Sequence, residues 1–219
     1  MSVRVNFESQ LLELKKEIML QGAMVERSFT EMMSAIKDND ETKMEDIILQ
    51  DRHINELELE INERATLMIA KQQPVASDLR QIIVALKVSS DLERMGDLAV
   101  DMAKAAKRMT KTDSVTKHEE ALMNLASKAQ YMMKEVLKAY RNRDVLEAQQ
   151  IASLDDDVDR EYGQFVKSIF NVAVAENQDI QQITQMAFIS RYIERIADYC
   201  TNIAEWIIYE VNGQRFDLN

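Results

Sequence analysis

Glycine and proline are nearly absent, with four and one among 219 residues. Collagen-like chains, long linkers and most small β-folds need them at their turns, and are excluded. Aromatic residues supply only 6% of the chain. The single cysteine, Cys200, cannot form an intrachain disulfide. That fits a reducing compartment and a lone buried thiol. No apolar run approaches the ~18 residues that cross a bilayer. Residues 1–6 lack the apolar core of a signal peptide, so a cytoplasmic protein is expected. Positive charge is also short: 27 Lys and Arg face 38 Asp and Glu, for a net charge of -11. Such an excess repels nucleic-acid backbones and anionic lipid headgroups. It also repels free phosphate, except at a local basic pocket or a metal site.

What remains is 46% hydrophobic, including 14 Met. Apolar residues recur at helical spacing almost throughout. Phe7, Leu11, Leu14, Ile18, Val25, Phe29, Met32 and Ile36 form one stripe. Ala85, Val88, Leu92, Met95, Ala99, Met102, Ala106 and Met109 form another, stepping by three and four. No stretch alternates with period two for long enough to make a strand. The pattern predicts an all-α protein of six helices, over 6–38, 40–72, 77–109, 116–141, 144–176 and 179–211. Breaks fall at Asp38-Asn39-Asp40, Gln73-Pro74, 110–115, Asn142 to Asp144 and Asn177 to Asp179. Thr116 and Glu119 stand at capping-box spacing. Gly213 stands where a C-terminal cap belongs.

The chain repeats itself. At an offset of 104, Phe29, Glu31, Ala35, Asp40, Ile47 and Asp51 fall on Met133, Glu135, Ala139, Asp144, Ile151 and Asp155. At an offset of 101, Leu92-Glu93-Arg94-Met95-Gly96-Asp97 falls on Ile193-Glu194-Arg195-Ile196-Ala197-Asp198. The offset changes at the Pro74 turn. Two antiparallel three-helix bundles related by pseudo-symmetry follow, over 1–111 and 112–219.

Candidate chemistry lies in carboxylates. Glu93, Asp97 and Asp101 are spaced by four on one helix, and Glu194, Asp198 and Asn202 repeat them. Hairpin register adds partners. Asp51 and Asp97 each lie 23 positions from Pro74, and Asn55 and Glu93 each lie 19 away. Around Asn177, Asp155 and Asp159 lie 22 and 18 positions before the turn, and Asp198 and Glu194 lie 21 and 17 after it. Each half thus brings four oxygen-bearing side chains to one level. An all-oxygen set suits Mg, Mn, Ca or Fe and disfavours structural Zn. A solvated acidic stripe, bridged by Arg94 and Arg195 as counter-cations, is the competing reading.

Other chemistry is poorly served. His53 and His118 each stand alone, at expected exposed or cap positions. Neither belongs to an E-x-x-H pair of a ferritin-like di-iron site. There is no Gly-rich phosphate loop, no G-x-S-x-G and no Cys–His pairing. Trp206, Ile207 and Ile208 read as core or a dimer seam.

Three stretches carry a family resemblance: Gln73-Pro74-Val75-Ala76-Ser77-Asp78-Leu79-Arg80, Leu92 to Asp97, and Tyr192-Ile193-Glu194-Arg195-Ile196-Ala197-Asp198. Together they resemble the PhoU family of phosphate-signalling regulators, along essentially the whole chain. The resemblance implies two three-helix bundles, often assembled as a homodimer. It implies a negative regulator of phosphate uptake and of the phosphate-starvation response. As partners it implies a phosphate-specific ABC transporter and a sensor histidine kinase. It also implies metal binding (Fe, Mn or Mg) through Glu93 and Asp97, then Glu194 and Asp198, with Asp51 and Asp155/Asp159 facing them. Asn55 and Asn202 stand where a carboxylate would bind more strongly. A non-enzymatic adaptor is the leading expectation. A carboxylate-bridged metalloenzyme and a purely structural helical scaffold are the alternatives.

Overall fold

The computed structural model describes residues 3–176 and 180–218, and their side chains over 6–171 and 180–218. Six helices follow one another: α1 (Val3–Asp38), α2 (Glu41–Gln72), α3 (Ser77–Ala106), α4 (Asp113–Asn142), α5 (Val145–Glu176) and α6 (Ile180–Asn212). No strand occurs among the described residues. None of the helices is long and apolar enough to cross a membrane, over the residues described.

Short connections make the helices antiparallel, and left-handed residues make the connections short. Asn39 and Arg143 both take positive φ, 53° and 55°. Each lets the next amide reach back five residues, Asp40 N to Ala35 O at 2.9 Å and Asp144 N to Ala139 O at 3.0 Å. Asp40 and Asp144 then cap the following helices. Asp40 Oδ1 accepts from Lys43 N at 3.1 Å, and Asp144 Oδ1 from Leu146 N and Glu147 N at 2.9 and 3.0 Å. The two turns are copies of each other at the offset of 104. Gln73 takes φ 46° and closes α2 ahead of Pro74.

Helix boundaries depart from the sequence pattern around the middle linker. α3 stops at Ala106 and α4 starts at Asp113, capped by Thr112 and not by the Thr116–Glu119 box. Thr116 instead donates to the Thr112 carbonyl at 3.0 Å. The Asn177 to Asp179 break lies outside the described residues.

Each half is a three-helix bundle, α1 to α3 and α4 to α6, and the halves join along α3–α6 and α1–α4. α3 and α6 run antiparallel. Lys87 near the start of α3 lies 5.8 Å from the Trp206 ring, and Arg80 lies 5.8 Å from the Tyr209 ring. At the opposite end Thr110 N donates to Gln182 Oε1 at 2.6 Å. The heptad stripe of α3 is buried, with Leu92, Met95 and Met102 fully enclosed. Truncating one such residue to Ala costs about 2–5 kcal/mol. One buried polar pair pins α1 to α3: Ser89 Oγ donates to Gln21 Oε1 at 2.7 Å, and Gln21 Nε2 donates to the Ser89 carbonyl at 3.0 Å.

After Gly213, whose φ is 75°, the chain folds back over α6. The buried Glu205 accepts from Leu218 N at 2.9 Å and pairs with Arg215 at 3.3 Å. The Arg215 guanidinium lies 4.7 Å from the Trp206 ring. Trp206 is therefore part of this clasp, held between Arg215 and Lys87.

His118 corrects an expectation. It is buried, 8% exposed, with Nδ1 at 2.8 Å from the Ser114 carbonyl and its ring edge-on to Phe165. Its i−4 carbonyl satisfies it inside the bundle, so a lone polar residue need not be at the surface. His53 is exposed, as expected. Cys200 is buried, and burial pushes its thiol far up, so it is inert.

Candidate metal centre

α6 carries Glu194 and Asp198 one turn apart, so both face α5. There Asp155 and Asp159, also one turn apart, face back. One ligand atom each from Asp159, Glu194 and Asp198 lie within 4.8 Å of one another. Among the described residues no other His, Cys, Asp or Glu trio is so close. Two of the surrounding carboxylates are deeply buried, Asp155 at 4% exposure and Glu194 at 7%. Asp155 Oδ1 and Glu194 Oε2 are enclosed and accept no hydrogen bond.

Such oxygens cost free energy unless a proton or a cation satisfies them. The protonation behaviour reflects that cost. Burial, then the charge of Asp198, pushes Glu194 up to about 7, against the opposing pull of Arg191. Burial, then Asp198 and Asp159, pushes Asp155 up to about 6. Asp198 is raised by burial and by Asp159, against Arg191 and Arg195. An oxygen-only set with unpaired buried oxygens fits a hard or borderline divalent cation.

The first half repeats the residues and changes the balance. Asp51 is half-buried. Its Oδ2 accepts from Asn55 Nδ2 at 3.1 Å, while Oδ1 accepts nothing. Arg94 spans Glu93 and Asp97 at 3.6 and 3.5 Å. Lys104 holds Asp101 at 3.2 Å. Burial and Asp97 raise Asp51 and Glu93, with Asn55 opposing in the one and Arg94 in the other. Gly96 lets α2 come close: a Cβ there would lie 3.2 Å from both Asp51 Oδ1 and an Ile54 methyl. At the repeated position α6 carries Ala197.

The seven carboxylates expected from sequence to bind metal lie on the helices that form the α2–α3 and α5–α6 seams. Three of them, Asp159, Glu194 and Asp198, converge. Sequence reasoning named Arg94 and Arg195 as counter-cations and passed over Arg191, which donates to Glu194 from the preceding turn. Its signal was the i,i+3 spacing to Glu194. Asp91 was missed as well. Burial pushes it up to about 6, against the Trp206 side chain and the charges of Lys87 and Arg215.

A family model, the PhoU domain, matches the chain twice, over residues 18–106 and 122–207. The phosphate-specific transport system accessory protein PhoU homolog of Clostridium acetobutylicum is 38% identical over 216 residues, 97% of each chain. The Escherichia coli protein PhoU, a phosphate-specific transport system accessory protein, is 33% identical over 213 residues, 96% of this chain and 87% of that one. Among solved structures, the phosphate transport system regulatory protein PhoU from Streptococcus pneumoniae superposes with a TM-score of 0.90. It is 29% identical, over 96% of this chain and 99% of that one. PhoU from Pseudomonas aeruginosa gives 0.88 at 30% identity, over 95% and 100%. The family model matches both halves, the relatives are similar over nearly the whole chain, and the chain belongs to the PhoU family.

Proposed function

We propose that this protein is a regulatory accessory protein of a phosphate-specific transport system. It restrains phosphate uptake and the starvation response, as a non-enzymatic adaptor between an ABC transporter and a sensor histidine kinase. The observation that carries this reading is similarity over nearly the whole length to relatives that bear the accessory-protein name. The net charge of -11 supports indirect sensing, in which the transporter and not a phosphate pocket here carries the signal. Contact runs through helical faces. The exposed Phe188, stacked on Tyr192 with ring centroids 6.4 Å apart, offers an aromatic anchor of the kind protein interfaces use. A homodimer is part of this proposal.

Asp159, Glu194 and Asp198, with Asp155 behind them, would hold the metal ion, Mn, Fe or Mg. When bound, the ion supplies positive charge that satisfies buried oxygens and ties α5 to α6. Its role here is structural and regulatory. Deleting the gene and complementing it with the wild-type chain tests the adaptor reading. Deletion is expected to switch a phosphate-starvation reporter on in rich phosphate, and the wild-type gene to silence it. A reporter indifferent to the deletion overturns the reading. Tight phosphate binding by the purified, metal-free protein overturns the indirect mechanism.

A further inference from the structure

Glu194 presents two different oxygens. Oε1 accepts from Arg191 Nη1, one turn earlier on α6. Oε2 is buried and accepts nothing. The same Arg191 guanidinium lies 5.9 Å from the Tyr162 ring on α5. One side chain thus grips a carboxylate of α6 and rests on an aromatic ring of α5. Those two helices supply Asp159 on one side and Glu194 with Asp198 on the other.

We propose that Arg191 is the positioning residue of the second-half metal site, pinning Glu194 Oε1 so that Oε2 is presented to a divalent cation shared with Asp159 and Asp198. The inference rests on the metal reading above and deepens it. A free glutamate side chain rotates about three bonds. One held at one oxygen offers the other in a fixed direction, with less ordering left for the metal to impose. The Tyr162 contact carries the restraint across to α5, so the spacing between the two ligand-bearing helices is held before any ion arrives.

Charge is consistent with this role. Asp155, Asp159, Glu194 and Asp198 are faced by the guanidinium groups of Arg191 and Arg195. The surplus of negative charge is suited to one divalent ion. The first half has no counterpart: the position equivalent to Arg191 is Ser90. Arg94 instead lies across both Glu93 and Asp97, at 3.6 and 3.5 Å. It neutralises that pair without freeing a chosen oxygen. The opposite role for Arg191, a counter-ion that metal must evict, predicts the opposite change in affinity.

Mn2+ binding to the full-length chain tests the proposal, read by the loss of the free-ion paramagnetic resonance signal. Arg191→Gln is expected to weaken binding ~10–100-fold, the range for loss of an outer-shell partner. Helical content by circular dichroism should stay unchanged. Arg191→Lys, which keeps charge without the planar fork, is expected to recover part of the loss, and Tyr162→Leu to weaken binding less than Arg191→Gln does. Equal or tighter binding by Arg191→Gln overturns the proposal and leaves the metal reading intact. A wild-type chain that binds no Mn2+ overturns both. Should Arg191→Gln fail to fold, Arg191→Lys and Tyr162→Leu decide: wild-type affinity in both overturns the proposal.

Discussion

In the first half, Asn55 donates to Asp51, Arg94 spans Glu93 and Asp97, and Lys104 holds Asp101. In the second half, Arg191 takes one oxygen of Glu194, and the buried oxygens Glu194 Oε2 and Asp155 Oδ1 are left unmet. The helix order, the α1–α2 and α4–α5 turns and the four-residue spacing are the same. A duplicated scaffold has thus reached two electrostatic solutions. One pairs most of its acids with the protein's own donors and leaves Asp51 Oδ1 unpaired, and the other leaves two buried oxygens, on Asp155 and Glu194, without a donor. Amide and carboxylate trade places between the halves: Asn55 stands against Asp159 at the offset of 104, and Asp101 against Asn202 at the offset of 101.

The widest gap between the halves should appear in metal binding itself. Glu194→Ala with Asp198→Ala is expected to lower Mn2+ affinity at least ~100-fold, equivalent to about 2.7 kcal/mol. Glu93→Ala with Asp97→Ala should leave it nearly unchanged. Isothermal titration of the two double variants checks this, and equal losses would erase the distinction. The next effect is pH dependence. Glu194 and Asp155 must lose protons to bind metal, so affinity should fall as pH drops through about 7 and about 6. The slope approaches one decade per pH unit for each proton displaced.

The same groups set the opposite trend in the metal-free protein. Their folded pKa values are raised. Their contribution to stability is therefore complete below the ordinary carboxylate range, about pH 4. It is lost as pH rises through about 6 and about 7. Thermal melts in chelator should show a higher midpoint at pH 5 than at pH 8, and added Mn2+ at pH 8 should recover the difference. Asn55→Asp is the complementary change. It adds an acid beside Asp51, Glu93 and Asp97, and should raise Mn2+ stoichiometry from one equivalent toward two. Failure to gain a second equivalent would mean that Arg94 alone closes the first site.

The smallest effect is steric. Gly96→Ala puts a methyl group 3.2 Å from Asp51 Oδ1 and from Ile54, and should cost about 1–3 kcal/mol in denaturant unfolding. The mirror change Ala197→Gly should cost about 1 kcal/mol, from helix propensity. A Gly96→Ala change that costs nothing would show that α2 leaves room for a methyl group at this position.

Six helices, their antiparallel order and the doubling were legible because period and punctuation are local properties. The stripe through Leu92, Met95 and Met102 and the Asn39-Asp40 break needed no knowledge of the partner helix. Register counted from Pro74 and Asn177 was enough to face Asp51 with Asp97 and Asp155 with Asp198. What spacing did not reveal was which oxygens stay unpaired. That depends on side-chain reach, as with Arg191 turning back to Glu194 and Asn55 turning to Asp51. His118 misled for the same reason: its partner is a carbonyl on its own helix, which no composition signal reports. The boundaries near 106–113 slipped because Thr112, lying inside a polar run, competes with Thr116 for the same cap.

The return of residues 213–218 across α6 makes the only indole of the sequence a gauge for that segment. Arg215 lies over the Trp206 ring and Leu218 is tethered to the neighbouring Glu205. Peeling the segment away would wet the ring while the helices remain folded. Emission should then redden at denaturant concentrations too low to alter the far-ultraviolet signal, so that fraying here is read optically, ahead of global melting and without an added dye.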